Sequence, residues 1–450
     1  MTPRLFGRFM RVATVFAVAA LAAGCTDFLK ATNPSAIDAK DLENPLYVNL
    51  MVNGVIGEYQ QAVDDYNLRT GTFGDELFNN HGFFEEREID KRNVDLGNGT
   101  YPLVLYVPLQ RSRFLADSVA GRLKVIFADS ASRDLRVARV LAYAGYSYVL
   151  LAESLCSIPV NGSVPLTPED LTKTFSVPRF NEAIAVASAY RAATSIPAQQ
   201  AAADSVINFA RVGAARALLY VNDKARARTF AEQVPAAFEF RSFYSAQNGR
   251  ENNAFFLATV SSPYVSLEPG YKRLNDPRVP HPVLPQGAQS TAQGNTDTVT
   301  VGAIRTIGVF VPNAGRMFSQ FDNTVIGADV ALDGFIRIAT GLEAQYIVAE
   351  ADGPTAATLA FVNARRASGN QTPVVLAGDA LMAEFRDQRR RDLFLDGHWL
   401  GDMRRYLKYL QLDLFPRGRY PGTVTSETYN DATCFPLPLS ELAGNPNVPR

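Results

Sequence analysis

Residues 380–411, ALMAEFRDQRRRDLFLDGHWLGDMRRYLKYLQ, constrain the fold more than any other stretch, because helical periodicity and a dense run of opposite charges coincide there. In the second half Trp399, Met403, Tyr406, Leu407 and Leu410 recur at the three-to-four residue spacing of one helix face. That spacing predicts a packed helix, with Arg404, Arg405 and Lys408 pointing elsewhere. In the first half Arg389, Arg390 and Arg391 sit among Glu384, Asp387, Asp392 and Asp396, with Asp387 four residues before Arg391. Such spacing lets the charges neutralise one another, so the run reads as a structural salt-bridge cluster rather than a basic patch for an anionic ligand. Gly397 permits a left-handed residue, which predicts two helical pieces meeting at residues 395–398.

With 47% hydrophobic and 20% charged residues over 450 positions, the chain has the mixture of a folded protein with a large core. A formal charge of −1 offers no overall field to gather nucleic acid or an anionic membrane, and both are disfavoured as partners.

Arg4, Arg8 and Arg11 precede an apolar run at residues 12–23 and then Gly24-Cys25. A spanning helix needs about 20 apolar residues, so the run fits the core of a secretion signal instead. Leu21-Ala22-Ala23-Gly24-Cys25 resembles the bacterial lipoprotein signal, whose cysteine becomes the acylated first residue of the mature chain. Acyl chains on Cys25 would hold the body to a bilayer at about 0.8 kcal/mol per buried methylene. Cys156 and Cys434 would then be the remaining thiols in an oxidising compartment, either bridged or separately buried.

The domain reading follows: residues 1–24 as signal, 25–44 as an extended tether, and 45–450 as one domain. Within it, a helical scaffold covers about 45–240 and 335–410, a loop-rich cap about 241–334, and a tail 411–450. Helices are expected at 46–66, 109–128 and 133–156, with helix hairpins at 204–221 with 224–234 and at 335–351 with 355–366. Gly145 before Tyr148, and Gly213 with Ala217 and Ala225, show the small-and-large alternation of tetratricopeptide helices. The fold class is therefore mainly α: a tetratricopeptide-like helical-repeat scaffold with a cap containing a few short strands. Residues 70–108 lose periodicity and carry Phe73, Phe78, Phe83, Phe84 and Tyr101, which reads as a long aromatic loop and a first candidate for a ligand surface.

Nothing in the residues calls for a cofactor or a metal. Only His81, His281 and His398 are available, without metal spacing, a nucleophile elbow or a phosphate loop. The pairs Asp64-Asp65, Asp75-Glu76 and Glu85-Glu86 could in principle serve a glycosidase, but adjacent residues do not face each other across a scissile bond. No catalytic residue is assigned, and the chain is not expected to be an enzyme.

A family resemblance rests on two motifs. Arg389-Arg390-Arg391-Asp392-Leu393, Asp396-Gly397-His398 and Asp402-Met403-Arg404-Arg405 resemble the C-terminal signature of the SusD/RagB family of outer-membrane lipoproteins. Further on, Cys434-Phe435-Pro436-Leu437-Pro438-Leu439-Ser440-Glu441 followed by Asn445-Pro446-Asn447 is similar to that family's closing pattern, and Asn275-Asp276-Pro277-Arg278 to a frequent tetrad. Gln388, Asp392, Asp396 and Trp399 depart from the residues usual at those places. The resemblance implies a nutrient-binding lipoprotein on the outer face of the outer membrane, seated over a SusC-like TonB-dependent transporter and handing it glycans or peptides.

Sugar capture uses aromatic platforms with polar groups around them. On that basis Phe83, Phe84, Tyr101, Tyr264 and Tyr271, with Asp75, Asn79, Asn80 and Arg273, are the candidate ligand-binding residues. Two other readings are a helical-repeat lipoprotein that only docks proteins, and a glycosidase.

Overall fold

The computed structural model of the chain describes residues 41–79, 83–245, 247–254, 265–268, 276–279, 335–420 and 427–449, together with Ala258, Tyr271 and Leu274. The signal, Cys25, the tether up to residue 40, Asn80, Tyr264 and Arg273 lie outside the described residues. Two units are distinguished, Met1–Asn49 and Leu50–Arg450. The first is described only at its end, as two short turns, Asp41–Glu43 and Pro45–Tyr47.

The scaffold is built from α1 (Val48–Phe73), α2 (Phe84–Asp90), α3 (Val107–Phe127), α4 (Leu135–Ser154), α5 (Pro168–Leu171), α6 (Val177–Ala193), α7 (Pro197–Tyr220) and α8 (Lys224–Ala231). After the cap follow α9 (Gly341–Asp352), α10 (Ala356–Ser368), α11 (Gly378–Asp392), α12 (Trp399–Leu410) and α13 (Leu439–Gly444). Sequential neighbours pack against each other from α3 on α4 through α6 on α7, α7 on α8 and α8 on α9 to α10 on α11. This is the helix-pair stacking expected of a helical-repeat scaffold.

Two glycines mark a close crossing in it. A Cβ on Gly145 would lie 2.7 Å from the ring of Phe180, and one on Gly213 would come closer still. The Phe180 side chain of α6 is thus wedged between α4 and α7, and small residues at those two positions are a packing requirement. A column of rings continues the core: Phe240 stacks on Phe209 at 3.9 Å, Phe209 on Tyr146 at 4.4 Å, and Tyr143 lies 5.1 Å from Tyr59 of α1.

Two small antiparallel sheets flank the helices: β1 (Leu77–Asn79) pairs with β3 (Val265–Leu267), and β2 (Glu239–Ser242) with β4 (Ile336–Thr340). They account for the places where periodicity misleads. The segment 70–108, expected to be irregular, contains the last turn of α1, all of β1 and all of α2. The stretch expected to be helical from 335 instead begins as β4, because β2 offers it a partner, and α9 starts only at Gly341. There the backbone of Ala236 would lie 2.7 Å from a Cβ, leaving room for glycine alone.

The signature run folds as two helices, α11 and α12, joined by Leu395 at φ 58° and Gly397 at φ 72°. Arg389, Asp396, Asp402 and Arg405 are buried rather than solvated, and some of the run's charges find partners far along the chain. Arg389 donates to both carboxylate oxygens of Asp402, at 2.7 and 3.3 Å. Arg405, expected to point away from the packed face, is buried between Asp402 at 2.9 Å and Glu350 at 2.7 Å. Burial alone would raise the Asp402 carboxyl, but these two guanidinium groups outweigh it and hold it well below the usual carboxylate range. Arg216 of α7 bonds Glu153 at 2.9 Å, the carbonyl of Gly397 at 2.7 Å and the ring of His398 at 3.1 Å. The tetrad joins the same system: Asp276 accepts from Arg278 at 2.7 Å and Arg391 at 3.2 Å. Gln388 accepts from Arg278 and donates to Glu384, each at 2.8 Å, so a neutral amide serves where the signature usually carries an acid.

The tail closes back on α4. Phe435 donates to Ser154 and the N–H of Cys156 to Phe435, each at 2.9 Å, and a disulfide joins Cys156 to Cys434. The side chains of Asn445 and Asn447 donate to the carbonyls of Ser163 and Gly162 at 3.1 and 2.8 Å.

Candidate functional site

Burial separates the nine candidate ligand residues. Tyr101 is buried, stacked on Phe435 at 5.4 Å, with its hydroxyl donating to the carbonyl of Pro436. Tyr271 is buried against Phe394 at 4.8 Å with the Arg390 guanidinium over its ring. Asn79 is buried in β1, its N–H donating to Asp90 at 2.6 Å. Asp75 is half-buried and accepts from the Tyr429 hydroxyl at 2.5 Å; burial pushes its carboxyl up to about 6 against that hydrogen bond. These four are engaged by other parts of the protein, Tyr101 and Asp75 by the tail, Tyr271 by residues 390–394, and Asn79 by Asp90 and β3. Phe83 and Phe84 are 65% and 72% exposed at the start of α2 and keep an open face.

At least one carboxylate of each pair is engaged as well. Asp64 accepts from the N–H of Ala254, Glu76 from the N–H of Leu395, Glu86 from Arg69, and Glu85 from Thr100. Among the described residues no group of three or more His, Cys, Asp or Glu side chains is placed to hold a metal ion. No helix among them is long and apolar enough to cross a membrane.

A groove of about 430 Å³ offers the surface that the sequence did not single out. Its floor is one face of α1, where Gly54, Gly57 and Gln61 follow one another at helical spacing beside Glu58 and Gln60. A Cβ on Gly54 or Gly57 would meet nothing within 4 Å, so these glycines, unlike Gly145 and Gly213, accommodate empty space rather than a neighbour. Leu115 of α3 forms one wall; Phe243, Tyr244, Ser245, Arg250 and Glu251 form the rim.

The rim is pinned to the floor. Gln60 donates to the carbonyl of Phe243 at 2.7 Å, the Tyr244 hydroxyl to the carbonyl of Gln60 at 2.9 Å, and Arg250 to Gln61 at 3.2 Å. Glu58 receives both Arg250 and, at 2.8 Å, Arg111. Phe243 is 62% exposed, and the N–H of Ser245 donates to the carbonyl of Glu251 at 2.8 Å, closing the loop that carries Arg250. The result is an exposed ring beside carboxylate, guanidinium and amide groups held by one another. A ring that packs against a flat apolar face, with such groups in reach of hydroxyls, is equipment suited to holding a sugar. In the sequence the floor residues are simply part of the helix expected at 46–66, and Phe243 is simply part of the expected cap.

No protein-family model matches the sequence, and no curated protein matches it. Solved structures do match it in fold. A laminarin-binding SusD-like protein superposes with a TM-score of 0.61 at 15% identity, over 90% of this chain and 98% of its own. A SusD superfamily protein from Bacteroides thetaiotaomicron gives 0.61 at 13% identity, over 90% and 99%. A SusD-like carbohydrate-binding protein from Bacteroides vulgatus gives 0.60 at 13% identity, over 89% and 96%. The fold is therefore SusD-like over most of the chain.

Proposed function

We propose that this chain of SusD-like fold is a nutrient-binding lipoprotein of the outer membrane that captures an oligosaccharide and performs no bond cleavage. The observation that carries the reading is the groove between α1 and the Phe243–Glu251 rim, which sets an exposed ring beside Glu58, Gln61 and Arg250 on a scaffold shared with carbohydrate-binding proteins. Laminarin, bound by one neighbour, is a sensible first glycan to try. Phe83 and Phe84 are proposed as a second contact surface, and Asn80, Tyr264 and Arg273, outside the described residues, stay ligand-contact proposals on residue type alone.

Anchoring through Cys25, an outward-facing position and delivery to a SusC-like TonB-dependent transporter belong to the same proposal and rest on the lipoprotein signal and the SusD-like fold. The absence of cleavage is supported by the engagement of at least one carboxylate of each pair by a structural partner. Purification of the whole lipoprotein from membranes in mild detergent tests the assembly: a TonB-dependent barrel and a retained oligosaccharide should travel with it. Protection of the body from protease on intact cells until the outer membrane is opened would remove the outward-facing reading.

A further inference from the structure

α11 presents Ala383, Arg386, Asp387 and Arg390 along one face, and with Trp399, Leu412 and Leu414 they line a cleft of about 290 Å³. That volume sits near the small end of ligand pockets, about 300–1,000 Å³, and suits a single ring rather than a chain. The cleft shares no residue with the groove on α1.

Its charges are unbalanced. Within the run, Arg389 is committed to Asp402 at 2.7 Å, and Arg391 to Asp387 at 2.6 Å and Asp276 at 3.2 Å. Arg390 reaches Asp387 only at 3.6 Å and otherwise lies against rings, 4.8 Å from Tyr271 and 5.5 Å from Trp399; its Nε has no hydrogen-bond partner. Arg386 lies 5.7 Å from the Tyr406 ring and has no carboxylate within ion-pair distance among the described residues. Rings orient a guanidinium without neutralising it. Among the residues lining the cleft, one carboxylate, already bonded to Arg391, therefore faces two arginines, while Glu76 and Glu268 act on Arg390 from outside the lining.

We propose that this cleft binds the carboxylate of an acidic sugar, a hexuronate, as a second site. Arg386 and Arg390 take the carboxylate, since a guanidinium fork matches its two oxygens. Trp399, Leu412 and Leu414 pack the ring, and Asp387 accepts from a ring hydroxyl. The neutral oligosaccharide of the groove on α1 has no group for these arginines, which makes the two sites separable by ligand chemistry.

Trp399 is the only tryptophan in the chain, so its emission reports from the cleft itself. Glucuronate and galacturonate are titrated into the purified protein, with glucose, acetate and trialanine as comparators. The expected result is a saturable emission change with at least one hexuronate, none with glucose, weakening as salt is raised. Arg386→Gln should cost at least tenfold in affinity with the circular dichroism unchanged, and Arg390→Lys, which keeps the charge but loses the fork, a similar amount. The proposal is overturned if neither hexuronate moves the emission, if acetate or trialanine does so at equal concentration, or if Arg386→Gln binds as the parent does. None of these readouts depends on Phe243, so the outcome leaves the groove reading to its own test.

Discussion

Gly54 and Gly57 lie inside α1, where a glycine costs a helix about 0.5–1 kcal/mol relative to alanine. A helix normally carries that cost only where a side chain would collide with something. Here a Cβ at either position would meet nothing within 4 Å, because both glycines face the groove. The double change Gly54→Ala with Gly57→Ala should therefore raise the unfolding free energy by about 1–2 kcal/mol, the sum of two helix propensities with no packing penalty. The same two methyl groups narrow the floor on which the ligand would rest. The larger Gly57→Phe fills it and should weaken glycan affinity at least tenfold, about 1.4 kcal/mol, with the fold intact. Urea unfolding followed by circular dichroism measures the first effect and titration calorimetry the second. A destabilised alanine double variant would refute the claim that these glycines face open space. Unchanged glycan affinity in Gly57→Phe would refute the claim that the space is the binding site.

The other glycine pair should behave oppositely: Gly213→Ala pushes a methyl group into Phe180 and Tyr146 and should cost about 1–3 kcal/mol in urea unfolding. Replacing Cys156 and Cys434 together by serine releases a link between residues 278 apart; loop-closure entropy for such a span is about 5–6 kcal/mol at most, and a loss of about 3–5 kcal/mol under non-reducing conditions is expected. Burial pushes the Glu76 carboxyl up to about 8, above its ordinary value, so the folded state holds this proton more tightly than the unfolded chain. The associated stability is fully present below about pH 4 and is lost as pH rises through 8. Glu76→Gln, whose amide oxygen can still accept from the N–H of Leu395, should match the parent at pH 4 and exceed it by about 4–5 kcal/mol at pH 9; equal stabilities at pH 9 would show that Glu76 is not held neutral.

Much of the scaffold was legible because it is written locally. The helix hairpins, the bend at Leu395 and Gly397, and the small residues at Gly145 and Gly213 all follow from spacing within one or two turns. The signature run was legible as structural, though its buried charges were not, since Arg405 finds Glu350, and His398 and Gly397 find Arg216, only after folding. The candidate site was much less legible. Tyr101 reads as an open aromatic until the carbonyl of Pro436, 335 residues later, arrives at its hydroxyl. Arg250 reaches Gln61 across 189 positions, so the groove has no continuous stretch of sequence to announce it. The rule that aromatics on irregular segments carry function selects residue types, but burial decides which of them a ligand can touch, and burial is a long-range property.

The most direct test of the glycan-binding claim is titration calorimetry of the whole chain against a panel of neutral oligosaccharides, run beside Phe243→Ala. Phe243 is exposed, so its removal leaves the core untouched. The expected result is saturable binding of at least one oligosaccharide, recovered uncleaved, with affinity falling at least tenfold in Phe243→Ala. Equal affinity in the variant, release of shorter products, or no binding across the panel would contradict it.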